Sequence, residues 1–243
     1  MSFEVIPAID LRGGRVVRLR QGDYARETVF ADDPLELARR YAAEGAKWLH
    51  VVDLDGARAG AFENLAVIES ICRLDGLQVQ AGGGVRGEGD LRRLYATGVA
   101  RVVVGSLAVR DPGAIAAWLH DFGPNRLVLA LDVRGKAGAW RLAVHGWTEE
   151  TSAALGTLAA YYAGAGARHV LCTDIARDGT LGGFNLDLYR DLRSHGADFQ
   201  IQASGGACSL EDIRAVREVG ARAVILGRGL LEGNFSLADA LRC

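Results

Sequence analysis

The fold of this chain is decided by the segment QVQAGGGVRGEGDLRRL at residues 78–94 and its near-copy QIQASGGACSLEDIRAV at residues 200–216. The second segment follows the first at an offset of 122 residues, and residues 98–105 align with residues 220–227 at the same offset. A fixed offset that continues beyond one motif indicates that a whole structural unit is repeated. The chain is therefore predicted to be a tandem duplication.

Aspartates at the ends of apolar segments follow the same repeat. Asp10 in AIDLRGG aligns with Asp132 in ALDVRGK at the offset of 122. Asp53 in HVVDLDG aligns with Asp174 in LCTDIARDG at an offset of 121, so the register changes by a single residue. We expect each pair to occupy equivalent places in the two halves.

Short segments rich in Val, Ile and Leu alternate with longer amphipathic ones along all 243 residues. This alternation and this length predict a single α/β domain, a (β/α)8 barrel. The predicted strands are residues 5–10, 47–53, 77–81, 101–105, 127–132, 168–173, 199–203 and 223–227. The two duplicated half-barrels are expected at approximately residues 1–122 and 123–243, joined by the tight turn FGPN at residues 122–125.

Helices are expected between the strands. In DPLELA at residues 33–38, Asp33 is placed as an N-cap and Pro34 in the first turn. Further helices are predicted to begin near Phe62, Glu88, Asp111, Glu149, Leu186, Ser209 and Ser236.

Composition excludes several classes of function. The formal net charge is -2 and no run of like charges occurs, so neither nucleic acid nor a membrane surface is an expected partner. The apolar segments have the length of strands and the first residues, MSFE, do not resemble a signal peptide, which predicts a cytoplasmic protein. The four cysteines and five histidines show no metal-binding spacing, so free thiols and no metal site are expected.

The four strand-ending aspartates are the candidate reactive groups, because a parallel barrel builds its active site at the carboxyl ends of its strands. Asp10 and Asp132 are predicted to end strands one and five on opposite sides of the ring. Asp53 and Asp174 are predicted to end strands two and six. The alternative, above all for Asp53 and Asp174, is that the carboxylate only caps the following loop or helix.

Glycine clusters follow four of the predicted strands. They are AGGG at residues 81–84, GS at 105–106, SGG at 204–206 and GR at 227–228. Glycines leave backbone N–H groups uncovered, and a helix N-terminus behind them attracts an anion. The alternative is that these glycines only permit tight turns. Their symmetric placement favours two phosphate-binding sites that face each other across the barrel mouth.

Two anion sites that flank a pair of carboxylates imply a long substrate with a phosphate at each end. Carboxylates whose pKa values are tuned apart by burial can act as general acid and base. The only lysines, Lys47 and Lys136, lie at the wrong end of a strand and in a loop, so a Schiff-base aldolase is not expected. The predicted chemistry is an isomerisation by proton transfer, with neither a metal nor an organic cofactor.

Motifs along the whole chain carry a family resemblance. They are PAIDLRGGRVVRLRQGD at 7–23, HVVDLDGA at 50–57, QAGGGVR at 80–86, VVGS at 103–106, HGW at 145–147, TDIARDGTLGGFN at 173–185, ASGG at 203–206 and LGR at 226–228. On these motifs the chain resembles the histidine-biosynthesis isomerases that convert the aminoaldose ProFAR into its ketose, an Amadori rearrangement.

The resemblance implies roles for particular residues. Asp10 is implied to take the C2 proton of the sugar. The acid that opens the ring is implied to be either Asp132, by pseudo-symmetry, or Asp178, on a loop that could close over the substrate. Thr173 is implied to hydrogen-bond near the reacting carbons and Trp147 to stack on the imidazole, the alternatives being a plain strand end and a core tryptophan. The other predicted substrate- and phosphate-binding residues are Arg18, Gly83, Gly84, Gly105, Ser106, Gly179, Gly183, Gly205, Gly206, Gly227 and Arg228.

Three other functions stay open at this point. The cyclase of the same pathway, which receives ammonia from a glutaminase partner, shares the doubled barrel, but its pattern has lysine where this chain has Arg18. A bifunctional isomerase that also acts on phosphoribosylanthranilate has arginine where this chain has His145. The third is a noncatalytic barrel that binds a phosphosugar. The expected partner is the bis-phosphorylated small molecule alone, and the protein is expected to be a monomer.

Overall fold

The computed structural model describes residues 3–243, which contain thirteen strands and eleven helices. The strands are β1 (Glu4–Arg12), β2 (Arg15–Arg20), β3 (Asp23–Ala31), β4 (Trp48–Asp53), β5 (Gln78–Gly82), β6 (Arg101–Val104), β7 (Leu127–Ala130), β8 (Val133–Arg134), β9 (Arg141–Val144), β10 (Glu149–Ala154), β11 (His169–Thr173), β12 (Gln200–Ser204) and β13 (Ala223–Leu226). The helices are α1 (Pro34–Ala43), α2 (Leu54–Ala59), α3 (Leu65–Cys72), α4 (Glu88–Ala96), α5 (Ser106–Arg110), α6 (Pro112–Phe122), α7 (Leu155–Gly164), α8 (Leu186–His195), α9 (Leu210–Glu218), α10 (Arg228–Leu231) and α11 (Leu237–Ala240).

Eight strands, namely β1, β4 to β7 and β11 to β13, form a closed parallel barrel. Each pairs with the next along the chain, and β13 closes the ring by pairing with β1. All eight lie where the sequence predicted a strand, within a few residues at each end. The predicted (β/α)8 barrel is confirmed.

Side chains along the barrel strands alternate between two environments, as the two-residue period of a strand requires. One set packs against the helices and forms the main apolar core. The other set points into the barrel. Its apolar members are Ile6, Ala8, Val103, Val128, Ala130, Leu171, Ala223 and Ile225. Three other barrel strands, β4, β5 and β12, carry the buried polar residues His50, Gln80 and Gln202.

Equivalent positions of the two proposed halves share an unusual backbone conformation. Gly105 precedes α5 with φ −100° and ψ −93°, and Gly227 precedes α10 with φ −109° and ψ −100°. This likeness supports the proposed duplication. The division near residue 122, where α6 ends, stays a prediction.

The first barrel strand does not end at Asp10, as the sequence had suggested, but continues to Arg12. Gly13 and Gly14, with φ of 56° and 74°, then turn the chain into β2, which pairs with β1 and with β3. A Gly-Gly pair is a hairpin signal. The polar, largely exposed sequence of β3 lacks the apolar run that would have revealed it.

The helix predicted to begin near Glu149 was wrong. Residues 149–154 form β10, which pairs with β9 in a small antiparallel sheet of β8 to β10, and α7 begins only at Leu155. The hairpin contact holds this polar segment extended, for example through Arg141 Nη1, which donates to the carbonyl of Ser152 at 2.9 Å. The other predicted helix starts lie within three residues of those observed.

Within residues 3–243 no helix is both long enough and apolar enough to cross a lipid bilayer.

Candidate active site

A cavity of about 470 Å³ lies at the carboxyl ends of the barrel strands, and a smaller one of about 50 Å³ lies beside it. The predicted residues on the larger cavity are Asp10, Arg18, Gly83, Gly84, Gly105, Ser106, Asp132, Trp147, Thr173 and Asp178. Those on the smaller cavity are Arg18, Asp178, Gly179, Gly205, Gly206, Gly227 and Arg228. Gly183 lines neither, and its N–H donates to the carbonyl of Gly206 at 2.9 Å.

Asp10 forms an ion pair with Arg18 in the wall of the larger cavity. Arg18 Nη1 donates to Asp10 Oδ2 at 2.8 Å, and Nη2 donates to the carbonyl of Ala8 at 2.6 Å. Burial raises the pKa of Asp10, and the charge and hydrogen bond of Arg18 act against that rise. Both side chains are only about 15% exposed, so solvent screens this pair weakly.

Asp132 lies two residues after β7 and is held by Trp147. The indole Nε1 of Trp147 donates to Asp132 Oδ2 at 2.9 Å. Oδ1 of Asp132 is buried with no hydrogen-bond partner among residues 3–243. Burial raises the pKa of Asp132, while the hydrogen bond from Trp147 and the nearby polar groups of Thr173 act against that rise. Trp147 thus contacts the carboxylate that the sequence aligned with Asp10.

Asp178 lies on the loop between β11 and α8 and faces both cavities. Its pKa is raised to about 7, chiefly by burial; Arg18 acts against the rise, and the carboxylates of Asp10 and Asp132 add to it. Three charged groups are therefore coupled to this one carboxyl. The structure thus brings together Asp10, Asp132 and Asp178, the three carboxyl groups that the resemblance implied as base and candidate acids.

Neighbouring segments hold the Asp178 loop in place. Gln21 Nε2, in the turn between β2 and β3, donates to the carbonyl of Ala176 at 3.1 Å. Arg228 Nη1 donates to the carbonyl of Gly179 at 2.6 Å. The loop is therefore tied both to the first hairpin and to the start of α10.

Asp53 and Asp174 are structural caps, which was the alternative interpretation of these residues. Asp53 accepts hydrogen bonds from three backbone N–H groups and from Asn64 Nδ2 at 2.7 Å. Asp174 accepts from the N–H of Ala176 at 3.0 Å and from Asn185 Nδ2 at 2.7 Å. In both cases the asparagine follows the aspartate by 11 residues. The repeated Asp–Asn pair closes the loop after the second strand of each proposed half.

The glycine turns are required by the backbone itself. Gly84 and Gly206 have φ of 101° and 106°, values that favour glycine. A Cβ on Gly84 would lie 2.9 Å from the carbonyl oxygen of Gly56, and one on Gly206 would collide with the carbonyl oxygen of Gly183. Tight turns alone account for these glycines, so their sequence signal does not prove a phosphate site.

Two residues of the short helices complete the rim. Ser106, the first residue of α5, accepts a hydrogen bond at 2.8 Å from the N–H of His145. Arg228, the first residue of α10, bonds Glu232 as well as the carbonyl of Gly179. The equivalent positions therefore carry a hydroxyl in one half and a guanidinium in the other.

Known proteins resemble this chain along its whole length. A family model described as "Histidine biosynthesis protein" matches residues 4–236. The chain belongs to this family. Relatives from Xanthomonas campestris pv. campestris, Xanthomonas oryzae pv. oryzae and Stenotrophomonas maltophilia are 54%, 52% and 52% identical over 244 residues, which is 100% of each chain. All three are named 1-(5-phosphoribosyl)-5-((5-phosphoribosylamino)methylideneamino)imidazole-4-carboxamide isomerase.

The cavity of this family member also has polar residues that the sequence did not nominate. They include Tyr24, His50, Arg86 and Arg110. Arg86 could have been found by comparison of the two repeats, because a charged arginine stands in the first repeat at the position where the second repeat has Cys208. His50 has the same strand parity as the inward-facing Val52, so strand periodicity also pointed to it. Tyr24 lies on β3, which the sequence did not predict, and so carried no usable signal.

Proposed function

We propose that this chain isomerises the aminoaldose ProFAR to its ketose in histidine biosynthesis, by aspartate general acid–base catalysis. The observation that carries the proposal is the cluster of Asp10, Asp132 and Asp178 on one cavity, each with a raised pKa. Full-length relatives that are named as isomerases of this substrate support it. A carboxyl group with a raised pKa is suited to proton transfer near neutral pH.

Asp10 is proposed as the base. When the ring opens, the nitrogen keeps its hydrogen and forms a protonated imine with C1, and removal of the C2 proton by Asp10 then gives the neutral enaminol. Reprotonation at C1 and loss of the hydroxyl proton then give the aminoketose, with no net gain or loss of atoms. Arg18 holds the Asp10 carboxylate in place, while burial keeps it more basic than an exposed aspartate.

Asp178 is proposed as the acid that protonates the ring oxygen. Its pKa of about 7 means that much of it carries a proton near neutral pH. Asp132 is the rival for this role. Because Trp147 Nε1 already donates to Oδ2 of Asp132, that carboxyl is stabilised as an anion, which favours Asp178.

The two phosphates of the substrate are proposed to bind at opposite ends of the cavity. One end has Gly83, Gly84, Gly105 and Ser106. The other end is the smaller cavity, whose lining includes Gly205, Gly206, Gly227 and Arg228. In many phosphate-binding barrels this second position, after strands seven and eight, holds the anion.

Trp147 is proposed to stack on the imidazole of the substrate. In this structure the Trp147 indole donates to Asp132, and the ring lies against the Gly22 turn. Because the indole N–H lies in the plane of the ring, this hydrogen bond is compatible with stacking on a face of the ring.

Turnover of ProFAR by the purified chain, without glutamine or ammonia, tests the function. Ketose formation under these conditions is expected. Product that forms only with added ammonia would instead indicate the cyclase, and tight binding without product the noncatalytic barrel. Phosphoribosylanthranilate, assayed in parallel, tests for the bifunctional enzyme. We propose that the enzyme is cytoplasmic, in keeping with its four free cysteines. We also propose that it acts as a monomer.

A further inference from the structure

Three buried polar side chains form a hydrogen-bonded chain inside the barrel. Gln80 Nε2 donates to Gln202 Oε1 at 2.7 Å, and Gln202 Nε2 donates to Gln80 Oε1 at 3.1 Å. Gln80 Nε2 also lies 2.9 Å from His50 Nδ1. The two glutamines stand on β5 and β12, the third and seventh barrel strands, so their amides meet across the barrel interior.

This chain determines which nitrogen of His50 carries the proton. An amide nitrogen can only donate, so His50 Nδ1 must accept and therefore carries no proton. Burial and the nearby charge of Arg18 lower the pKa of His50 to about 3, which keeps the ring neutral. A neutral ring with an unprotonated Nδ1 has its single N–H at Nε2. Each N–H of the Gln80 amide is used, one for Gln202 and one for His50.

The remaining N–H of His50 belongs to the reaction cavity. His50 lines the larger cavity, and of its two ring nitrogens only Nδ1 has a hydrogen-bond partner within residues 3–243. His50 pairs in register with Ala8, two residues before Asp10, and the carbonyl of Ala8 accepts from Arg18. His50 therefore lies on the floor of the cavity, one inward-facing layer below Asp10.

We propose that Gln80 and Gln202 are positioning residues that fix His50 as the Nε2–H tautomer, and that His50 donates this hydrogen bond to a sugar oxygen beside Asp10. The inference rests on the proposed isomerase function. The hydrogen bond orients the reacting carbon against the carboxylate, whereas the phosphate ends set most of the substrate affinity. Loss of the chain should therefore lower kcat more than it raises KM.

Kinetics of Gln80→Met and Gln202→Met test the positioning role. Methionine keeps the volume of the side chain but cannot donate to His50. We expect Gln80→Met to lower kcat by about three- to tenfold with KM within about threefold, the size of effect that one neutral hydrogen bond supports. Because Gln202 acts through Gln80, the double variant should be no slower than Gln80→Met alone.

Controls on the same two strands are Gln78→Met and Gln200→Met. Each makes the same change two residues away towards the other end of the barrel, at a site that is exposed or half-buried. Neither residue belongs to the chain that includes His50, and unchanged turnover is expected. A control that loses as much kcat as Gln80→Met would assign the effect to the strand as a whole and overturn the proposal.

NMR of the protein labelled with ¹⁵N-histidine tests the tautomer without any assay of activity. The wild type should show His50 protonated at Nε2, and Gln80→Met should shift the signals towards a mixture of tautomers. A wild-type His50 protonated at Nδ1 overturns the inference, as does a Gln80→Met variant with unchanged kcat. Should Gln80→Met fail to fold, Gln202→Met carries the same tests. If the wild type shows the expected tautomer but does not turn over ProFAR, the proposed function fails and the tautomer assignment stands.

Discussion

Arg18 donates from Nη1 to Oδ2 of Asp10 at 2.8 Å, and both side chains are nearly buried in the cavity wall. This contact opposes the effect of burial, which raises the pKa of Asp10. Replacement of Arg18 by Met removes the opposing charge, so we expect the pKa of Asp10 to rise further. The acid limb of the pH–rate profile should then move to higher pH by the same amount.

Arg18→Lys is the control for this prediction, because it keeps the positive charge but loses the fork that reaches both Asp10 and Ala8. The lysine variant should retain most of the wild-type acid limb. Profiles of kcat/KM against pH for the three proteins measure the difference. An acid limb that stays in place in Arg18→Met would show that this limb does not report Asp10.

Asp10→Asn tests the base directly. The amide cannot take the C2 proton, so kcat should fall by at least about 10²-fold. Substrate affinity should stay within a few-fold, because the proposed phosphate ends of the cavity do not include this residue. Steady-state kinetics with a binding measurement separate the two effects, and a variant that retains most of its turnover would remove Asp10 from the base role.

The pKa of Asp178 predicts the alkaline limb of the same pH–rate profile. Its pKa of about 7 means that the protonated, acid form is lost as the pH rises through that value, and kcat/KM should fall with it. Asp178→Asn should lower kcat and abolish this limb. If Asp132→Asn abolishes the alkaline limb and Asp178→Asn leaves it unchanged, Asp132 is the acid.

The same carboxyl should reduce stability at high pH. Asp178 holds its proton to about pH 7 in the folded chain, against an ordinary value of 3.8. Its favourable contribution to the free energy of unfolding is complete below the lower value and is lost as the pH rises through the upper one. Urea denaturation at several pH values should therefore show a decline that is smaller in Asp178→Asn, and an identical slope in the two proteins would contradict the raised pKa.

The barrel itself was open to prediction from the sequence, because each buried parallel strand is an apolar run and the two halves repeat each other. The elements that escaped prediction are those that close over the cavity. In the hairpin of β2 and β3 and in the small sheet of β8 to β10, the strands β3 and β10 are largely polar and carry no run of this kind. Asp53 and Asp174 had the same strand-end position as the candidate acid and base, and the structure distinguishes these caps by their hydrogen bonds from backbone N–H groups and from Asn64 and Asn185.

Variants of Asn64 and Asn185 separate two effects, namely the stability of the fold and the position of the loop that carries Asp178. Asn64 donates to Asp53 and to Asp55 and accepts from the N–H of Gly14, whereas Asn185 donates to Asp174 alone. Asn64→Ala should lower the free energy of unfolding by about 1–3 kcal/mol, since it leaves a buried carboxylate short of a donor, and should leave kcat within about threefold.

Asn185→Ala should lower kcat more and the free energy of unfolding less than Asn64→Ala does. It frees the end of the loop that carries Asp178, so kcat should fall by about tenfold, while stability should change less than in Asn64→Ala because fewer hydrogen bonds are lost. Urea denaturation and steady-state kinetics on both variants provide the comparison. Equal losses of kcat in the two would mean that the Asp174–Asn185 pair supports the barrel as a whole and has no special link to the position of Asp178.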